Sequence, residues 1–336
     1  MKVWILIFVC MFSMPLVVAV LHFRMRKGQI LKIRQDYVKN ARYFGRSFSS
    51  LVEKALPEMK NGTIMLSRQE KVLETDGNQE FVQPEIEDLV IARNTIFCPQ
   101  QGDLHFQKEI YSEKDALFVK ENIRLRAVYS KKRLLFGNKI RLLRWADAEH
   151  AVVVYDECDL GERVSSGEQL VIGFGNIFHS LYAPVIRLGQ CPEEPDRFME
   201  GRDPRIFRMP VTNSYEYNRH YIDDDMVTES GTVPYTIISR GDIKVIEDII
   251  LQGDIHSDGA VRIMENASVL GNIFAENDIL LEKNATVLGN IFTQGNIIFE
   301  EGASAGQPHK IISVVARGTI TFYGGNYVYG YVVSEG

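Results

Sequence analysis

Residues 251–304 repeat themselves every 18 residues without a gap, and few folds can absorb such a pattern. In register they read LQGDIHSDGAVRIMENAS, VLGNIFAENDILLEKNAT and VLGNIFTQGNIIFEEGAS, and VPYTIISRGDIKVIEDII (233–250) fits one period upstream. Odd-numbered positions carry most of the apolar residues. Ile255, Ile273 and Ile291 form one column, Ile243, Val261, Ile279 and Ile297 a second, and Ala267, Ala285 and Ala303 a third. Even positions are mostly Asp, Asn, Glu, Arg, Lys and Ser. Alternation specifies strands, and a fixed period of this length specifies identical turns. The expected fold is all-β: a parallel β-helix with 18-residue rungs, like residues stacking about 4.8 Å apart. Gly253, Gly271 and Gly289 are expected at tight corners, where the missing Cβ lets the chain turn. Beside them, Asp254, Asn272 and Asn290 suit a hydrogen-bonded side-chain ladder.

The same period returns in degenerate form as EKDALFVKENIRLRAVYS (113–130), KKRLLFGNKIRLLRWADA (131–148), EHAVVVYDECDLGERVSS (149–166) and GEQLVIGFGNIFHSLYAP (167–184). Its columns are Phe118, Phe136, Val154, Ile172; Ala116, Leu134, Val152, Leu170; and Val128, Ala146, Val164, Tyr182. IYS at 110–112 anticipates VYS at 128–130, so this first block is assigned to 104–184 and the second to 233–336. Even positions face inward in the first block and odd ones in the second. A whole number of perfect rungs therefore cannot join them, and a register change is expected between. The intervening 185–232 holds Pro192, Pro195, Pro204 and Pro210, which argues against central strands and for a long insertion that sets partner specificity. Upstream, 61–103 reads as a cap, with strands at 63–67 and 89–97 around a loop at 70–83.

After residue 304 the period breaks at 307–311 and resumes as VVARGTITFYGG (314–325), resembling NIFAENDILLEK (272–283). The chain then ends on NYVYGYVVSEG. An aromatic last strand with so short a tail is a poor polar cap. Ile320, Phe322, Tyr327 and Tyr329 are accordingly the expected contact with another copy of the chain.

At the other terminus, residues 3–23 carry no charge, and as a helix would be about 31 Å long, enough to cross a bilayer. No small-x-small cleavage site lies at 17–21, so 1–27 is expected to be an uncleaved anchor rather than a signal peptide. Arg24, Arg26, Lys27, Lys32 and Arg34 follow it, which places the body in the cytoplasm by the positive-inside rule. Residues 28–60 read as a basic amphipathic helix with Ile30, Ile33, Tyr37, Phe44, Phe48 and Leu51 roughly on one face. That face suits anionic lipid, the β-domain or another copy. The formal net charge of −6 gives no reason to expect nucleic-acid binding. Cys10 lies in the apolar run, while Cys98, Cys158 and Cys191 form neither a disulfide framework nor a zinc pattern.

Residues 239–302, with GDI, LQGDI, VLGNIF and GNI recurring at 18, together with SVVARGTI (313–320), resemble the bactofilins, polymer-forming bacterial cytoskeletal proteins. The resemblance implies a right-handed β-helix that joins end to end without nucleotide and scaffolds envelope or morphogenesis enzymes at the bacterial inner membrane. The anchor, the extra block of rungs and the 185–232 insertion depart from a small bactofilin and favour a membrane-tethered variant. The partners expected are the chain itself, the inner membrane and a client envelope protein.

Two other classes compete. A hexapeptide acyltransferase also coils at 18 residues per turn, and IMENAS, LEKNAT and FEEGAS satisfy its aliphatic-to-small spacing, but the rest of each rung does not repeat it in phase. His105, His150, His179, His220, His256 and His309 are scattered over different columns, whereas such an enzyme needs a general base beside a cofactor groove. A carbohydrate-binding β-helix would stack charges along one cleft, and the Arg126 and Arg144 column is broken at Glu162 and Ser180. Asp223–Asp225 reads as a hydrated acidic run, Gly173-x-Gly175 lacks the rest of a nucleotide fingerprint, and Asn266 and Asn284 as glycosylation acceptors suit neither a rung corner nor a cytoplasmic body. No catalytic residue, cofactor or metal ligand is assigned, and an enzyme is not expected.

Overall fold

The structure is a computed structural model that describes Met14 and residues 40–75, 81, 84–98, 103–189, 211–214, 219–222, 232–234 and 236–336. The chain divides into two units, Met1–Asn40 and Ala41–Gly336. The anchor expected at 3–23 and the helix expected at 28–39 lie outside the described residues, among which no helix is long and apolar enough to cross a membrane.

The second unit is a parallel β-solenoid of about 12 turns. In the second block each rung contributes three short strands, such as Ile250–Leu251, Ile255–Ser257 and Val261–Ile263, separated by three corners per period. The columns read from the sequence stack as strand partners: Ile255 on Ile273 on Ile291, and Ile243 on Val261 on Ile279 on Ile297. All are at most 1% exposed, as are Ala267, Ala285 and Ala303, and together they make one continuous apolar core. Alternation has a simple cause here. Successive side chains on a strand point to opposite faces, so one set fills the coil and the other meets solvent.

Gly253, Gly271 and Gly289 lie at bends between strands, and two of them also meet a steric limit. A Cβ on Gly271 would lie 2.3 Å from the carbonyl oxygen of Gly253, and one on Gly289 would lie 2.2 Å from that of Gly271. These residues allow one rung to sit on the next. The corners that demand a left-handed backbone are Asp248, Asn266, Asn284 and Gly302, with φ of 61°, 59°, 59° and 75°. Aspartate and asparagine tolerate that region better than other residues with a side chain.

The first block extends further back than 104. Gln69–Thr75, expected as loop, is a strand that forms a hairpin with Thr63–Met65 and pairs in parallel with Leu89–Ala92. Its rungs are long bent strands, Leu104–Ser112, Ile123–Ser130 and Arg141–Ala148, with register shifts at the bends. One column needs correction. Val164 pairs with Leu181, which is fully buried, while Tyr182 sits opposite Ser165 and faces outward.

Helix α1 (Tyr43–Ala55) lies along the outside of the first block, over strands 123–130 and 141–148. Its buried face is Gly45, Ser49 and Val52, with Phe48 packed beside them, whereas Phe44 and Leu51 are 41% and 49% exposed. The expected face is thus rotated, because small residues rather than the bulkiest ones let the helix backbone approach the sheet. Val52 and Phe48 close a second core with Ile64, Leu89, Ile91, Tyr111, Tyr129 and Trp145.

The inward parity changes as expected, from even at Ile186 and Leu188 to odd at Val233 and Ile237, and the blocks meet by a reversal that the period does not signal. Strand Ser180–Leu188 ends the first block and pairs antiparallel with Asn326–Ser334, the last strand of the second, which itself runs parallel to Ile312–Ala316. Within 185–232, Val211–Ser214 and Arg219–Ile222 form the second block's first rung on Thr236–Ser239 and Asp242–Val245. The four prolines of that stretch lie outside the described residues.

Candidate functional surfaces

Four places on this unit stand out: the joint between blocks, the seat of α1, the rung ladders and the second block's first rung. The joint takes up the residues expected to meet another copy. Tyr327 and Tyr329 are each 4% exposed, and Tyr327 faces Arg187, whose guanidinium stands 5.8 Å from its ring. Phe322 stacks on Phe299 at 4.7 Å and lies 6.4 Å from Phe178 of the first block, and Ile320 packs against the same core. Tyr182 and Tyr331 meet at 4.5 Å on the outer side. The last strand is therefore closed by the chain's own Ser180–Leu188, which offers the same unpaired backbone groups a second copy would have offered. Nothing in the 18-residue pattern signals this antiparallel pairing, because it links strands from different blocks.

At the seat of α1 an ion pair is buried. Arg42 is 4% exposed and Asp147 is 1% exposed. Arg42 Nε donates to Asp147 Oδ1 at 2.8 Å and Nη2 to Oδ2 at 3.1 Å, while Nη2 also donates to the Ala148 carbonyl and Nη1 to Glu149. Ser165 donates to Asp147 at 2.8 Å, and Tyr129 donates to Glu149 at 2.9 Å. Burial works against the charged guanidinium, yet the hydrogen bonds and charges of Asp147 and Glu149 outweigh it and hold Arg42 above its ordinary value. Burial pushes the Asp147 carboxyl up to about 6, against the pull of Arg42 and Ser165. Glu149 ends below its ordinary value, because Arg42 and Tyr129 more than offset its own burial. The cluster reads as a latch between helix and sheet. Sequence reasoning missed it because Asp147 occupies an outward position of its strand, where a carboxylate looks merely solvated.

Along the second block the expected ladder is present. Asp254 Oδ1 accepts from Asn272 N and Nδ2, Asn272 Oδ1 from Asn290 N and Nδ2, and Asn290 Oδ1 from Ser313 N. A second ladder, not anticipated, runs from Asp278 to Asn296 to Thr319.

Among the described residues the histidines do not converge, although His150 Nδ1 lies 2.7 Å from Glu168 on an exposed surface, one rung apart. The spacing of 18 was the available signal for that pair. Cys98 and Cys158 are buried free thiols, and burial raises both, Cys98 to about 12. Asp223–Asp225, His220 and Cys191 have no described side chain. Among the described residues no group of three His, Cys, Asp or Glu is placed to hold a metal ion.

The first rung of the second block is the remaining surface. Among the described residues, Val211–Ser214 pairs only with Thr236–Ser239 and Arg219–Ile222 only with Asp242–Val245. No family model matches the chain, and no curated protein or solved structure matches it either.

Proposed function

We propose that the chain is a structural scaffold: a solenoid, inferred to be right-handed, tethered at the inner face of a bacterial membrane by residues 3–23. In this reading it self-associates through strand edges and localises envelope or morphogenesis proteins. The carrying observation is that the fold grows by strand addition, even across the antiparallel joint, and that Val211–Ser214 and Arg219–Ile222 of the second block's first rung have ladder partners on one side among the described residues. An edge with unpaired N–H and C=O groups is a template for another strand. The second support is the 18-residue frame with its Gly-Asp/Asn-Ile motifs, which resembles the bactofilins. Support for the tether is the uncharged run and the basic residues after it.

The contact surface differs from the one expected from the C-terminal sequence, since the last strand is occupied within the chain. Sedimentation and electron microscopy of the full-length chain test the reading. Oligomers are expected, and Asn213→Pro, which removes an N–H on the side of the first rung away from Thr236–Ser239, should reduce them while far-ultraviolet circular dichroism stays unchanged. A monomer at all concentrations, or undiminished assembly of Asn213→Pro, refutes it.

A further inference from the structure

The sheet face that α1 covers does not stop at the first block. One outward column runs Asp147, Ser165, Tyr182, Tyr331, Ser313, crossing the joint without a break. Two residues along the strands, the neighbouring column runs Ser180, Val333, Val315, Phe292, Phe274, His256. On the first block this face is closed by α1, whose Phe48 meets Tyr111 and Trp145 edge-on. On the second it is an apolar stripe. Phe274 stacks between His256 at 4.7 Å and Phe292 at 5.4 Å, and is still 36% exposed.

We propose that this stripe is a docking site for an amphipathic helix of a partner protein, with an aromatic or aliphatic face and an arginine- or lysine-bearing flank. Continuity with the α1 interface supplies the first argument, since the same face of the same sheet already holds a helix lengthwise across its rungs. Charge supplies the second. On the first block a carboxylate stands two residues beyond the covered column, Glu149 beyond Asp147, and Arg42 and Arg46 of the α1 end sit over it. On the second block the strands run the opposite way, so Asp258 and Glu276, two residues beyond His256 and Phe274 and both exposed, flank the stripe on the side opposite to Glu149, with Arg317 at the far end of that row. A helix flank bearing basic groups on that side would meet the carboxylate half of the row. The surface is lateral, so the inference stands apart from assembly through strand edges.

The probe is a fluorescent peptide with the sequence of residues 41–58, titrated against the full-length chain by anisotropy. Saturable binding is expected. Phe274→Asp should weaken it at least tenfold, and so should replacing the peptide's three basic residues at 42, 46 and 54 by glutamate. Glu276→Lys, an exposed change that leaves the core alone, should weaken it several-fold and covers the case in which Phe274→Asp misfolds. Absence of peptide binding overturns the proposal. So does binding that ignores both Phe274→Asp and Glu276→Lys, which would mean exchange with α1 on the first block. A dimer of the unliganded chain that Phe274→Asp dissolves would make a second copy the occupant, and overturns it too.

Discussion

The backbone of α1 rests directly on a carboxylate: a Cβ added to Gly45 would stand 2.3 Å from Oδ2 of Asp147. Alanine normally stabilises a helix interior relative to glycine by about 1 kcal/mol. Here Gly45→Ala should do the reverse, because the helix must lift off the sheet to make room. Hydrogen exchange checks this, with faster exchange expected in 43–55 and no change in 251–305.

Removing Arg42 strands a buried charge. Loss of one partner from such a pair costs about 3–5 kcal/mol, and Arg42→Met should fall in that range at neutral pH. The pH dependence has a definite sign. Asp147 has a folded value of about 6 against an ordinary 3.8, so its contribution to stability is full below the ordinary value and is lost as pH rises through 6. Without Arg42 the folded value climbs further, so the penalty of Arg42→Met should be larger at pH 8 than at pH 5. Chemical denaturation at the two values measures it. Glu53 and Glu70 do not interfere, since Lys131 holds the first and Lys108 and Arg68 the second below their ordinary value, and their contribution fades only in acid beneath it.

A charge at Phe322 acts on the joint. Phe322 stacks on Phe299 and approaches Phe178 across the two blocks. Phe322→Asp should therefore lower stability by about 3–5 kcal/mol, the range for losing a packed aromatic, rather than leave the fold untouched. Thermal unfolding of the variant settles the matter, and an unchanged midpoint would mean the residue bears no weight in the joint.

Gly330 admits no side chain. Its φ is 139°, and a Cβ there would lie 2.1 Å from the Ile312 carbonyl oxygen. Backbone strain alone costs about 1–3 kcal/mol. Gly330→Ala should loosen 326–334 and 180–188 together, visible as coupled protease sensitivity of the two segments.

In the Asn ladder, Asn272→Ala leaves the Asn290 N–H without its side-chain acceptor. A cost of about 1–3 kcal/mol is expected for the orphaned group, with Asn290→Ala similar through Ser313. Urea denaturation of the single and double variants should show non-additive losses, since the rungs share one chain of bonds.

How far the sequence could be read depended on whether a contact repeats. The columns through Ile273 and Ile279 were legible because every rung enforces the same inside-outside pattern on the next. Tyr182 stands in the expected column where Leu181 belongs, because the last rung of the first block shortens by one residue, and a slip of one inverts the face. The segment after the 307–311 insertion was aligned one position off: Val314 pairs with Ile291, in the column of Ile273 rather than of Asn272. The seat of α1 and the joint were hidden for another reason. Arg42 with Asp147 and Tyr182 with Tyr331 are single long-range meetings of outward residues, which leave no period to detect.

Because Asn326–Ser334 sits between the two blocks, this strand is a keystone of the unit. During synthesis both coils are able to form while the gap between them stays open, and the core becomes continuous only once this strand has been added. A premature stop that deletes this strand would thus do more than shorten the product. It would release two bare solenoid ends at once, each a site for indiscriminate strand addition, and turn an orderly body into an aggregating one.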